Sequence, residues 1–159
     1  MFSSNKPIIQ IAYAVENIIV AAENWSKRFN IGPFYYNEHI EVADSRINGI
    51  NKKFDHSSAY GWRENFMIEL IADHSKVNVH ENGIHHIAWI AENFDRESEE
   101  LIKQDCKEVL FAKAGDRNGM RFAWFDPGRD IGHLYEIYDN DDSLKNFYSY
   151  AVSYTHLRA

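Results

Sequence analysis

Residues 8–17 read IIQIAYAVEN, and residues 84–93 read IHHIAWIAEN. Aligned at an offset of 76, the two stretches set Ile11 on Ile87, Ala12 on Ala88 and Glu16-Asn17 on Glu92-Asn93. Tyr13 falls on Trp89, aromatic on aromatic, while Gln10 falls on His86. Agreement of this kind in a short strand-like segment marks an internal duplication. It decides the fold, because the elements after the first copy should recur after the second.

The flanking sequence repeats as well. After Asn17, IIVAAENWSKRF places Ile18, Ala21, Ala22, Trp25 and Phe29 at helical spacing. After Asn93, FDRESEELIKQDC turns Phe94, Leu101 and Ile102 inward and its acidic residues toward water. Asn17 and Asn93 are the expected helix N-caps, with Asp95 an alternative for the second. Gly32-Pro33 then makes a turn, FYYNEHIEVADSRI alternates, Asn48-Gly49 turns again, and NFMIELIA at 65–72 forms a strand. Between 38 and 64 the strand boundaries are indistinct, and Lys52, Lys53, His56 and Ser57 are expected in a loop over the site. In the second half EVLFAK is a strand, AGDRNG a turn, MRFAWFDP a strand and IGHLYEIYD the last one.

Strand, helix, then about three strands, stated twice, gives an α+β fold of paired βαβββ modules. The modules span 7–72 and 84–140, with 73–83 as linker, and make one domain over 1–140. Leu144, Phe147 and Tyr148 predict a short helix after residue 140, and the closing SYTHLRA has no place in the repeat and is expected to be a tail. A chain of 159 residues suits one compact domain. Its net charge of 17 − 24 = −7, without a basic tract, argues against broad nucleic-acid binding. There is no signal peptide and no run of 18 apolar residues, so no membrane partner is expected and the location read is cytoplasmic. Cys106, the lone cysteine, cannot make an intrachain disulfide.

Four polar side chains interrupt otherwise apolar strands: Gln10, Glu69, His86 and Glu136. Each half offers one on its first strand and one on its last. A carboxylate on a buried sheet face needs a metal, a charge partner or a raised pKa. Two carboxylates, an imidazole and an amide make a hard to borderline donor set that Zn, Ni, Co, Mn or Fe would all suit. His85, next to His86, should point to the opposite face and serve structure. His56, His74, His80 and His133 have no counterpart in the repeat, and Glu41 is a lesser pocket acid. Tyr13, Trp89, Phe122, Trp124 and Tyr138 are candidate pocket aromatics, and Arg121 a candidate anion contact at the rim.

With QIAYAVEN and HIAWIAEN as module starts and IEL at 68–70 and YEI at 135–137 as module ends, the chain resembles the vicinal oxygen chelate (glyoxalase/bleomycin-resistance/dioxygenase) superfamily. The resemblance covers nearly all of 7–140 and implies a cup-shaped, glyoxalase-like sheet. It implies a divalent metal ion held by Gln10, Glu69, His86 and Glu136. The set is similar to that of some glyoxalase I enzymes and departs at Gln10 and Glu69 from the His-Gln-His-Glu usual in methylmalonyl-CoA epimerases. The activity implied is that of a metal-dependent lyase or isomerase acting on a small-molecule substrate. It moves a proton through a metal-stabilised enediolate or enolate. Glu136 is the preferred base, Glu69 the second catalytic carboxylate, and a homodimer the expected assembly. Two alternatives stand beside it: a small-molecule binding or sequestration protein, and a ring-cleaving dioxygenase, whose usual two histidines are not matched where Gln10 stands.

Overall fold

The computed structural model describes residues 6–80 and 83–156, with side chains up to residue 150. In chain order the elements are β1 (Gln10–Ala14), α1 (Ile18–Phe29), β2 (Tyr35–Asn37), β3 (Val42–Ile47), β4 (Ile50–Asn51), β5 (His56–Arg63) and β6 (Phe66–Asp73). Then come β7 (Ile84–Ile90), α2 (Phe94–Lys103), β8 (Lys107–Ala114), β9 (Arg121–Asp126), β10 (Leu134–Tyr138) and α3 (Asp142–His156). The ten strands form one sheet in the order β2-β5-β6-β1-β7-β10-β9-β8-β3-β4.

The two stretches that repeat in sequence lie side by side at the middle of this sheet. β1 runs antiparallel to β7, and each pairs on its other side, in parallel, with the last strand of its own half: β1 with β6, β7 with β10. One chain therefore supplies the whole centre of the sheet. Alternation divides its residues. Tyr13, Ile68 and Leu70 pack with Ile18, Ala21, Ala22 and Trp25 under α1. Trp89, Ala123, Phe125 and Ile137 pack with Phe94 and Leu101 under α2. Ala12, Ile71, Phe122, Trp124 and Leu134 face the other way and form the floor of the cup with Phe54. Both helices begin where the sequence places their caps. Asn17 Oδ1 accepts from the Val20 amide at 3.0 Å, and Asn93 Oδ1 from the Arg96 amide at 2.9 Å. Asp95 is not the cap of α2; it pairs with Arg121.

The indistinct span 38–64 resolves into strands. β3 and β4 form a hairpin whose turn residues Asn48 and Gly49 have φ of 50° and 78°, as a two-residue hairpin turn needs. This hairpin leaves its own half and pairs with β8 at the far side of the sheet. His56 and Ser57, expected in a loop, are instead the buried first residues of β5. The terminal helix is longer than expected and runs through His156, so part of SYTHLRA is helical; residues 157–159 lie outside the described residues. Its residues Leu144, Phe147 and Tyr148, the three that predict the helix, turn onto the open face of the cup. Among the described residues no helix is long and apolar enough to cross a membrane.

Candidate metal centre

Strand register brings the four singled-out side chains to one place. Across the sheet, Ala12 is flanked by Glu69 on β6 and His86 on β7. One row along, Ala88 is flanked by Gln10 on β1 and Glu136 on β10. Neighbouring strands lie about 4.8 Å apart, so the flanking residues of each row stand about 10 Å apart at their backbones. The short alanine between them leaves room for the longer side chains to lean together. Gln10, Glu69, His86 and Glu136 are all at least 97% buried. His86 Nε2 lies 2.8 Å from Glu136 Oε2, 3.2 Å from Glu69 Oε2 and 3.1 Å from Gln10 Nε2.

Each member is also held from behind. Ser58 Oγ donates to Glu69 Oε1 at 2.5 Å, and the Gln10 amide donates to Glu69 Oε2. Trp124 Nε1 donates to Glu136 Oε1 at 2.8 Å. Tyr148 on α3 donates to Gln10 Oε1 at 2.7 Å. Burial alone would drive His86 neutral, but the Glu136 and Glu69 carboxylates outweigh it and raise its pKa to about 10. Burial likewise opposes ionisation of Glu69, and the hydrogen bonds from His86 and Ser58 reverse this and lower it.

The donor set fits a divalent cation, and one atom shows why. Glu136 Oε2 is buried without a well-aligned hydrogen bond, although His86 Nε2 is 2.8 Å away. Glu69, His86 and Glu136 each place a ligand atom within 4.8 Å of the others. A proton on His86 also faces the Gln10 amide donor, two donors at 3.1 Å. A cation there would resolve both mismatches. Gln10 presents its NH2 to the cluster; turned over, the amide would present its oxygen, the atom that can bind metal.

Several neighbours differ from the sequence reading. His85 does not face away. The β1–β7 register steps from Ala12↔His86 to Tyr13↔Ile84, so His85 is an extra residue in a bulge. Its Nδ1 lies 2.8 Å from His86 Nδ1, and its Nε2 lies 3.4 Å from Asp73 Oδ2. Tyr13 and Trp89 lie under the helices, whereas Phe122, Trp124 and Tyr138 line the cup. Arg121 is no free anion contact: it makes two bonds to Asp139 at 2.9 Å and one to Asp95 at 2.8 Å, and lies over the Phe94 ring. Glu41 is exposed and outside the cavity lining. Two further residues reach the site, one expected in a loop over it and the other only in the terminal helix. His56 lines the cup, is 94% buried, stacks on Phe54 and leaves Nδ1 without a partner; burial lowers its pKa. Tyr148 closes over Gln10. The cavity these groups enclose is about 220 Å³.

With the geometry established, comparison with known proteins gives a family. The model of the glyoxalase/bleomycin resistance protein/dioxygenase superfamily matches residues 9–124. A hypothetical protein from Bacillus halodurans C-125 is similar in structure, with a TM-score of 0.57 at 16% identity over 87% of this chain and 96% of that one. A methylmalonyl-CoA epimerase from Mycobacterium tuberculosis gives 0.54 at 15% identity over 92% and 97%. A methylmalonyl-CoA epimerase in complex with methylmalonyl-CoA and NH4+ gives 0.51 at 14% identity over 84% and 94%. At these identities the likeness is one of fold. The comparison with curated proteins gives no match. The family match spans most of the chain, and the curled sheet agrees with it: the chain belongs to the glyoxalase/bleomycin resistance protein/dioxygenase superfamily.

Proposed function

We propose that the protein is a metal-dependent lyase or isomerase of the glyoxalase/epimerase type, moving a proton on a carbon next to a carbonyl. The observation that carries this reading is Glu136 Oε2, a buried carboxylate oxygen without a well-aligned hydrogen bond at the floor of a cavity. Gln10, Glu69, His86 and Glu136 are the residues that would hold the ion. When bound, the ion supplies positive charge that stabilises an oxyanion on the substrate.

The chain's own groups divide the remaining work. Glu69 is tied by Ser58 and Gln10, one bond to each oxygen, and is the steadier carboxylate. Glu136 is tied at Oε1 by Trp124, while Oε2 has only the His86 ring at 2.8 Å, the partner a bound ion would displace, and it is this oxygen that would take a proton from substrate. His56, neutral through burial, lines the same cavity and has a ring nitrogen without a partner, which suits a hydrogen bond to a substrate oxygen. Trp124, Phe122 and Phe147 exclude water around the transfer.

The direct test is solvent-hydrogen exchange followed by NMR, with the metal-loaded protein in heavy water and thiohemiacetals or 2-methyl acyl thioesters as substrates. Deuterium should enter at the carbon next to the carbonyl. Glu136→Gln should slow this by about 10²–10⁴-fold, the usual worth of a positioned base. Exchange that persists after complete metal removal, or that is unchanged in Glu136→Gln, overturns the mechanism.

A second reading draws on the smallness of the cavity. At about 220 Å³ it lies below the roughly 300–1,000 Å³ of common ligand sites and is covered by α3. That size suits a compact molecule, which on this reading would be held without turnover. Ligand-dependent stabilisation with no deuterium incorporation is the result expected of such a binding protein.

A further inference from the structure

Outside the cup, three residues that the repeat does not account for come together. His39 Nδ1 lies 2.8 and 3.0 Å from the two oxygens of Asp55. The His74 ring lies 4.8 Å from the His39 ring, centroid to centroid, with the planes inclined by 31°. One ligand atom from each residue lies within 4.8 Å of the other two. None of the three lines the cup cavity.

The three come from different segments, and hydrogen bonds fix each one. His39 has a φ of 46°, a left-handed conformation that costs a non-glycine residue energy and has to be held. It is held by its own amide, which donates to Ser57 Oγ at 2.9 Å, and by the next amide, Ile40, which donates to the His56 carbonyl at 2.9 Å. Asp55 is fixed across the β5–β6 end, where its amide donates to Ser75 Oγ at 2.9 Å and its carbonyl accepts from the Ser75 amide at 3.2 Å. Ser57 Oγ also lies 2.8 Å from His74 Nε2, so one hydroxyl ties both imidazole-bearing segments together. The His39 side chain is 60% exposed and that of Asp55 36%, so the cluster opens to solvent.

We propose that His39, Asp55 and His74 form a second divalent-metal site, outside the cup, for a cation of the zinc, copper, nickel or cobalt type. Two imidazoles and one carboxylate select such borderline ions over magnesium or calcium, which prefer all-oxygen sites. Three protein ligands on an open surface leave a coordination position for water or an exogenous ligand. A plain His39–Asp55 pair with His74 stacked beside it would bind no metal, and that is the outcome that opposes the proposal.

Zinc titrated into the metal-free full-length chain, followed by calorimetry, tests it, with cobalt absorption as a second readout. The wild type should take up two equivalents. His39→Ala combined with His74→Ala should take up one fewer, as should Asp55→Asn alone, with unchanged circular dichroism confirming the fold. Glu69→Gln combined with Glu136→Gln should remove the cup equivalent and leave the outer one. A wild type that binds no more zinc than the His39→Ala/His74→Ala chain overturns the proposal. Loss of zinc in the histidine and aspartate variants alone, with the glutamate variants unaffected, supports the outer site and removes the metal from the cup reading instead.

Discussion

Ala12 and Ala88 shape the cup by what they lack. Each sits between two converging side chains, and each is fully buried. Ala12→Val adds two methyl groups where the leaning side chains meet. It should cost about 1–3 kcal/mol in urea unfolding through overpacking, and abolish zinc uptake by the cup in a chelator competition. His85 acts one step further out. An outer partner of a metal-bound histidine is worth about 10–100-fold in affinity, so His85→Phe should weaken zinc at the cup by that factor; unchanged affinity would show that the 2.8 Å contact to His86 does no orienting. At this scale the sequence is legible where chemistry coincides with the repeat. Gln10, Glu69, His86 and Glu136 stand out because a polar residue in an apolar strand is rare and these recur at matching places. His85 is not legible, because a bulge breaks the alternation that sequence reading assumes. His56 is not either, because Lys52 and Lys53 before it suggest a loop.

Among the elements, α3 is the one whose position changes the site. Its Phe147 meets Tyr35 and Tyr60 edge-on, and Tyr148 meets Trp62 and bonds Gln10. Tyr148→Phe should lower stability by about 0.5–1.5 kcal/mol in urea, the usual net worth of one hydrogen bond. No change would mean that the bond contributes nothing to holding the helix down. The helix itself is legible from Leu144, Phe147 and Tyr148, but periodicity states only that a face is apolar and not which surface receives it. β3 and β5 illustrate the opposite limit. VADSRI has two charges and a left-handed Asp44 with φ of 50°, and HSSAYGWR has few large apolar residues. Their strand character comes from pairing with β8 and β6, partners that a local pattern does not contain.

For the whole molecule, the buried histidines set the pH response of the metal-free protein. Burial lowers the pKa of His56 and His85, so below about 6.5 the unfolded chain binds more protons than the native one and stability falls with acid. His86 is the reverse case. With its pKa raised from 6.5 to about 10, its contribution is fully present below 6.5 and is lost as pH rises through 10. Melting temperature of the metal-free protein should therefore peak near pH 6.5. Loading zinc should flatten the alkaline limb, because the ion replaces the proton, and should release about one proton at pH 7, read by calorimetry in buffers of different ionisation heat. A melting temperature that climbs steadily to about pH 10 without metal would refute the charge assignment of His86. The fold class is legible because a duplication carries global information in a local match; the crossing of the β3–β4 hairpin to the far half is not, since nothing in either half requires it. That crossing also bears on synthesis. β3 ends at Ile47 and its partner β8 begins at Lys107, 60 positions later in the nascent chain. At about 5–20 residues per second, the ribosome leaves this strand without its partner for about 3–12 s. Asp44, Ser45 and Arg46 give it the polarity that discourages pairing with other chains in that interval. The polar composition that blurs the bounds of β3 in the sequence is what keeps it from the wrong neighbour until the right one has been made.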